Sequence, residues 1–225
     1  LFSYPKIKTG LKLFSLGIST NRDQWVYGES RETLTAKASH LSQVYASQNP
    51  RKEFDSEIKW SRNLKRRFEQ RHREEFDPGR IVTAAYRPFR KRLLYDSALF
   101  IDEPGAKDEM FPIGQRNRSI CFSDAGSRAD YVVLAVDGIA DLHFGASIDA
   151  YQQVPLDRFD QGKRLDNIID WALDQFKKQY RPGRGRRDRP ITKEAIFHYV
   201  YGVLHDPVYR EKYALNLKRE FPRIP

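Results

Sequence analysis

The chain has one cysteine, one methionine and no apolar run approaching the roughly 18 residues that a membrane-spanning helix needs. With Cys121 alone, no disulfide framework can form within the chain, and a reducing cytoplasm is the expected setting. Cys121 sits inside the apolar run SICF and reads as a buried small hydrophobe, not a nucleophile. There is no GxxxxGK[ST] phosphate loop, no GxGxxG, no paired CxxC and no HExxH. These absences argue against a nucleotide-driven motor, a dinucleotide-binding enzyme and a zinc site. An Asn-Pro-Pro-Tyr motif, which holds the amino group of a target base in adenine methyltransferases, is missing too. The opening LFSYPKIK is broken by Pro5 and Lys6 and lacks a signal-peptide layout. A start on Leu1 reads as a piece of a longer polypeptide.

What is present is a folding composition: 225 residues, 40% hydrophobic and 13% aromatic. That length suits one large domain or two small ones. The formal net charge is +10, which speaks to partners and not to fold. Nucleic acid and an anionic membrane are the obvious candidates. Residues 51–92 hold fourteen Lys/Arg against seven Asp/Glu, and the stretch RPGRGRRDRP at 181–190 holds five Arg and one Asp.

Hydrophobic periodicity and capping residues predict the elements. QWVYG, ending at Gly28, reads as a strand. Ser30 caps a helix with Leu34, Ala38, Leu41 and Tyr45 on one face. A basic helix is expected over 56–72, with Ile58, Trp60, Leu64 and Phe68 as a thin apolar seam. RIVTAAY, RLLY, SALFI, RSICFS and ADYVVLAV read as strands, the last as a central strand buried on both faces. Residues 102–117 form a long connecting loop. Asp166 is expected to cap a helix with the face Ile169, Ala172, Leu173, Phe176 and Tyr180. Thr192 caps another, and Asp206-Pro207 starts a third. The fold class is α+β: a mixed, largely antiparallel sheet core with flanking helices and a C-terminal three-helix segment. Residues 1–165 would form the β-rich core, and 166–225 a helical segment packed on it.

The stretch YRPFRKRLLYD interleaves Arg87, Arg90, Lys91 and Arg92 with aromatic and aliphatic residues. Arginine's planar fork matches two phosphate oxygens, or the O6/N7 edge of guanine. In GQRNRS, Arg116, Asn117 and Arg118 lie beside a strand, and Gln115 and Asn117 are of the amide type that reads adenine. One constellation could be catalytic: Asp137, Asp141 and His143 in AVDGIADLHFG could hold Mg²⁺ for phosphodiester hydrolysis. The alternative is a turn with a cap and an ordinary histidine.

Several stretches together resemble one family. STNRDQWVYGESRETL follows its T-x-R-D-x-W-V-Y-x-x-S-R-E segment. IKWSRNLKRRF, AAYRPFRKRLLYD, MFP, IADLHFG, RLDNIIDWALDQFKKQY and the final ITKEAIFHYVYGVLHDPVYREKYALNLKREFPRIP follow in the same order. The chain resembles the C-terminal target-recognition domain of type ISP restriction–modification enzymes and related helicase–methyltransferase fusions. It departs from the family in carrying Arg90 where YRPF is commonly followed by Asp or Thr. The resemblance implies a piece that reads double-stranded DNA and performs no catalysis itself. Its partner would be a methyltransferase domain of the same polypeptide or complex. S-adenosylmethionine, ATP and Mg²⁺ would serve the parent enzyme and not this piece. On that reading Arg87, Arg90 and Arg92 lie at the DNA surface. Gln115, Arg116, Asn117 and Arg118 read the groove, while Lys59, Arg62, Lys65, Arg66 and Arg67 hold phosphates. Asn21, Arg22 and Asp23 fall near the methyltransferase junction or serve a structural salt bridge. The two other readings are the metal-dependent nuclease fragment and a protein-interaction scaffold built on the C-terminal helices.

Overall fold

The computed structural model describes residues 7–49, 52–146, 148–180 and 190–225. The arginine-rich residues 181–189 lie outside them. Two four-stranded sheets carry the fold. The first joins β2 (Tyr27–Gly28), β4 (Arg90–Tyr95), β3 (Ile81–Arg87) and β7 (Ile139–Ala140), in that order. Its pairs are antiparallel except β3 with β7, where Ala84 faces Ile139 in parallel. The second joins β1 (Ser15–Leu16), β8 (Tyr151–Pro155), β5 (Ser119–Ser123) and β6 (Val133–Val136), all antiparallel. A separate hairpin pairs β9 (Asp157–Asp160) with β10 (Lys163–Asp166). It turns at Gln161 and Gly162, whose φ values of 49° and 79° are the left-handed pair that a tight hairpin turn demands. The α+β, largely antiparallel class is as expected.

The helices follow their caps. α1 is a single turn (Asp23–Val26). Ser30 Oγ accepts from Thr33 N and starts α2 (Arg31–Ser47), which buries Leu34, Ala38, Leu41 and Tyr45. Ser61 caps α3 (Arg62–Glu69), which buries Leu64 and Phe68. Each leucine or phenylalanine so buried stabilises by about 1.5–3 kcal/mol. α4 (Lys107–Met110) is one turn in the long 102–117 connection. α5 (Asp170–Gln179), α6 (Lys193–His205), α7 (Pro207–Lys212) and α8 (Ala214–Arg219) end the chain. Thr192 and Asp206 cap α6 and α7 as expected.

One core lies between α2, α3 and the first sheet. A second packs Ile120, Phe122, Val133 and Val154 of the second sheet against Ile196, Phe197, Val200 and Leu204 of α6, with Tyr209, Leu217 and Ile224. A small cluster of Ala85, Cys121, Ala140, Phe144 and Tyr151 joins the sheets. Cys121 is fully buried, and burial pushes its thiol well up. The sheets approach closely at Gly17, where a Cβ would stand 2.5 Å from the Asp141 carbonyl oxygen. No helix among the described residues is long and apolar enough to cross a membrane.

Five expectations are corrected. QWVYG is mostly helical, with only its end in a strand. The basic helix is α3, half the expected length, because Ser61 caps it and residues 56–60 turn instead. SALFI is not a strand: Ser97 Oγ accepts from Leu99 N (3.1 Å) and Phe100 N (2.9 Å), which bends the chain. ADYVVLAV supplies an edge strand, and β5 and β8 are the central ones. Asp166 ends β10, and α5 begins only after Ile169.

Candidate nucleic-acid interface

The β3–β4 hairpin is shaped by its turn. A register shift falls between Ala85 and Arg87, and Arg87 then pairs with Arg90 across the two-residue turn Pro88-Phe89. Pro88 presets its own φ. Phe89 is forced to φ 58°, a left-handed conformation that costs a bulky residue about 1–2 kcal/mol. Behind the turn, Arg87 donates to Asp141 Oδ1 (2.7 Å) and to the Tyr86 carbonyl (2.6 Å), and its guanidinium lies 4.1 Å from the centre of the Tyr86 ring. Arg92 stacks on the other approach to Tyr86 (4.8 Å) and reaches Glu29 (3.0 Å). Arg90 pairs with the same carboxylate (2.7 Å), and Lys91 pairs with Asp137 (2.7 Å). Burial pushes the Asp141 carboxyl up while Arg87 pulls against it; the Lys91 hydrogen bond holds Asp137 below the usual range.

A cleft of about 720 Å³ opens between this hairpin, β6 and α6, with Arg87, Phe89, Arg90, Lys91, Arg118 and His198 in its wall. A second of about 660 Å³ adjoins it, lined by Thr83, Lys91, Arg116, Arg118, Asp137 and Arg164, among others. Lys91, Arg118 and Asp137 belong to both. The hairpin and the 114–118 loop, separate in sequence, therefore meet at one surface. Most of its cations already face an acid. Arg118 meets Glu194 (2.5 Å) and Arg164 meets Asp157 (2.7 Å), whereas Arg116 has no ion pair among the described residues. Solvent-exposed pairs of this kind contribute only about 0–1 kcal/mol each, so a phosphate can displace the acid.

The expected site residues divide. Arg90, Arg116 and Arg118 are exposed at the cleft, and Gln115 is exposed on the rim of a smaller hollow beside it. Arg87 and Arg92 are only partly exposed and brace Tyr86. Asn117 lines the second cleft, but its amide is already engaged there. It is buried; its Nδ2 donates to the carbonyls of Met110 (2.8 Å) and Asp157 (2.7 Å), and its Oδ1 accepts from Arg118 N (2.9 Å). Arg67 is not a free phosphate holder either: it donates to the carbonyls of Leu99, Ile101 and Asp102. Lys59, Arg62, Lys65 and Arg66 are exposed around α3 and without ion pairs among the described residues, but they do not line the cleft. Arg164, placed in the cleft by the β9–β10 hairpin, escaped sequence reasoning. The alternating DRFD and KRLD around Gln161-Gly162 was the available signal.

Asn21, Arg22 and Asp23 have structural partners. Arg22 is buried against Asp102 (2.9 Å), Asn21 donates to the same carboxylate (2.9 Å), and Asp23 accepts from Tyr86 Oη (3.0 Å) and from Thr20 Oγ1. The three side chains of the metal alternative have protein partners as well. Asp137 faces Lys91, Asp141 faces Arg87, and His143 Nδ1 contacts the Asp149 carbonyl (3.0 Å). Among the described residues no three His, Cys, Asp or Glu come together to hold a metal ion.

The model of the type ISP C-terminal specificity domain matches residues 10–225. The chain belongs to that family. Solved structures similar to this specificity domain include the cryo-EM structure of a DrdV–DNA complex, at 35% identity and a TM-score of 0.84, covering 96% of this chain and 21% of that one. A nuclease-deletion mutant of the Type ISP restriction–modification enzyme LlaGI, in complex with a DNA substrate mimic, matches at 26% identity and a TM-score of 0.78, over 99% of this chain and 18% of that one. The ATP-dependent Type ISP enzyme LlaBIII bound to DNA matches at 25% identity and 0.77, over 96% and 14%. The specificity domain thus spans about a fifth or less of each of these structures. No curated protein matches it.

Proposed function

We propose that this specificity domain recognises a short sequence in double-stranded DNA on behalf of a larger restriction–modification enzyme and carries out no chemistry itself. The observation that carries the reading is the meeting of Arg90, Lys91, Arg116, Arg118 and Arg164 at one continuous cleft, from three separate chain segments. Its relatives DrdV, LlaGI and LlaBIII are seen with DNA or a DNA mimic. Arg116, Arg118 and Gln115 supply the donors and acceptor that base edges require, and α3 supplies cations for phosphates. An adjoining methyltransferase domain is the expected partner, and S-adenosylmethionine, ATP and Mg²⁺ belong, on this reading, to neighbouring domains. The test is selection from a randomised duplex library by the intact polypeptide that carries this chain. Enrichment of one sequence is expected, and Arg116→Ala should broaden it. Recovery of an unbiased library by wild type would overturn the proposal.

A further inference from the structure

We propose that Phe89 is a wedge that presses its ring into the base stack of the bound duplex and opens or kinks one step there. This rests on the reading that the chain binds duplex DNA. Among the described residues Phe89, at 94% exposed, is the most exposed of the large apolar side chains, and its ring stacks on no other ring there. Its backbone sits at φ 58°, where glycine or asparagine is at ease and phenylalanine is not. A ring that is neither packed nor relaxed does nothing for the fold. Strain held at an exposed tip points to use by a ligand.

The surroundings identify the ligand. Pro88 and the Arg87–Arg90 strand pair set the turn, and Phe89 lines the basic cleft. Arg90 and Lys91 beside it are more than half exposed, and their partners Glu29 and Asp137 are exposed as well. An apolar protein surface would have to desolvate these charges to reach the ring. A duplex satisfies both features at once, with phosphates for the cations and base faces for the ring. Apolar side chains inserted at a base step act in this way in DNA-bending proteins. Phenylalanine has no hydrogen-bond donor or acceptor, so at base edges it can meet only a thymine methyl. It contributes through the deformability of the step it enters.

The experiment uses the intact polypeptide and a duplex recovered by the library selection, with 2-aminopurine substituted at one position at a time. Wild type should raise the fluorescence several-fold at one step. Phe89→Ala should abolish that rise, weaken binding about tenfold and relax the preference at that one step, with the rest of the selected sequence unchanged. Phe89→Trp should restore the rise and the affinity. Phe89→Gly should also lose the rise while its Tm stays at or above that of wild type, which separates the effect from folding. The inference is overturned if Phe89→Ala leaves fluorescence and affinity as they were. It is equally overturned if the substitution changes hydrogen exchange of the hairpin in the DNA-free polypeptide, since the ring would then dock on protein. A wild-type protein that binds no duplex removes the DNA reading itself, and the wedge with it.

Discussion

Arg22 and Asp102 face each other across 2.9 Å with both side chains sealed from water. Around them Arg22 donates to the carbonyls of Thr20 and Phe100, and to Ser61 Oγ, which in turn donates to Asp102. The pair thereby ties α1, the cap of α3 and the 97–102 turn together. Burial lowers the Arg22 pKa, and Asp102 opposes that shift. Removing one member of a buried pair strands the other's charge. Asp102→Ala should therefore cost about 3–5 kcal/mol of unfolding free energy in urea, a large share of a typical 5–15. The double variant Arg22→Ala/Asp102→Ala should cost less than the two single losses added. A single loss below about 1 kcal/mol would show that the pair is not held in solution.

Asn117 offers a clean contrast between structure and recognition. Truncating it leaves the carbonyls of Met110 and Asp157 and the amide of Arg118 without their side-chain partner. At about 1–3 kcal/mol per stranded group, partly relieved by water, Asn117→Ala should lower stability by about 2–4 kcal/mol. The library selection should return the wild-type sequence from the protein that remains folded. Unchanged stability with a relaxed sequence preference would restore Asn117 to the groove.

What could be read from the sequence were features decided within a few residues. Thr192 and Asp206-Pro207 cap their helices through bonds three residues away or fewer, and the periodic faces behind them are buried. SALFI misled because apolar composition says strand, while one hydroxyl, Ser97 Oγ, captures two amides and turns the chain. β6 misled because an apolar run shows neither which strands lie beside it nor which faces are covered: within β6 only Val133 is buried. The cleft was half legible. Its cations are plain in the sequence, but Glu29, Asp137, Asp141 and Glu194 reach them from 46 to 76 residues away. Counting charge locally thus overstated how bare that surface is, whereas the exposed cations around α3 were legible as a basic helix.

Asp141 gives a pH signature. Burial raises its pKa above the ordinary 3.8, with Arg87 opposing and Asp23 adding to the rise. A raised folded-state value means that the folded protein holds the proton more tightly than the unfolded chain. The associated stability is fully present below 3.8 and is lost as pH climbs through the folded value. Asparagine at this position does not titrate. The stability of wild type relative to Asp141→Asn should therefore fall as pH rises from about 4 toward 7, measured as the difference in unfolding free energy. A difference that grows over that range would mean that the Arg87 pairing outweighs burial.

Salt dependence separates the two basic surfaces. Lys59, Arg62, Lys65 and Arg66 have no ion pair among the described residues, so a phosphate placed on them releases counterion without first displacing a carboxylate. Lys65→Ala should weaken binding to all sequences alike and reduce the slope of log K against log salt by about 0.9. At the cleft the order of events differs, because Glu29 occupies both Arg90 (2.7 Å) and Arg92 (3.0 Å). A phosphate arriving there must displace a carboxylate, and part of the electrostatic gain is offset. Glu29→Gln removes that competitor while keeping the side chain's length. It should tighten binding to non-specific duplex several-fold at low salt and steepen the salt slope, whereas Lys65→Ala flattens it. If Glu29→Gln leaves both affinity and slope unchanged, Arg90 and Arg92 do not contact phosphate.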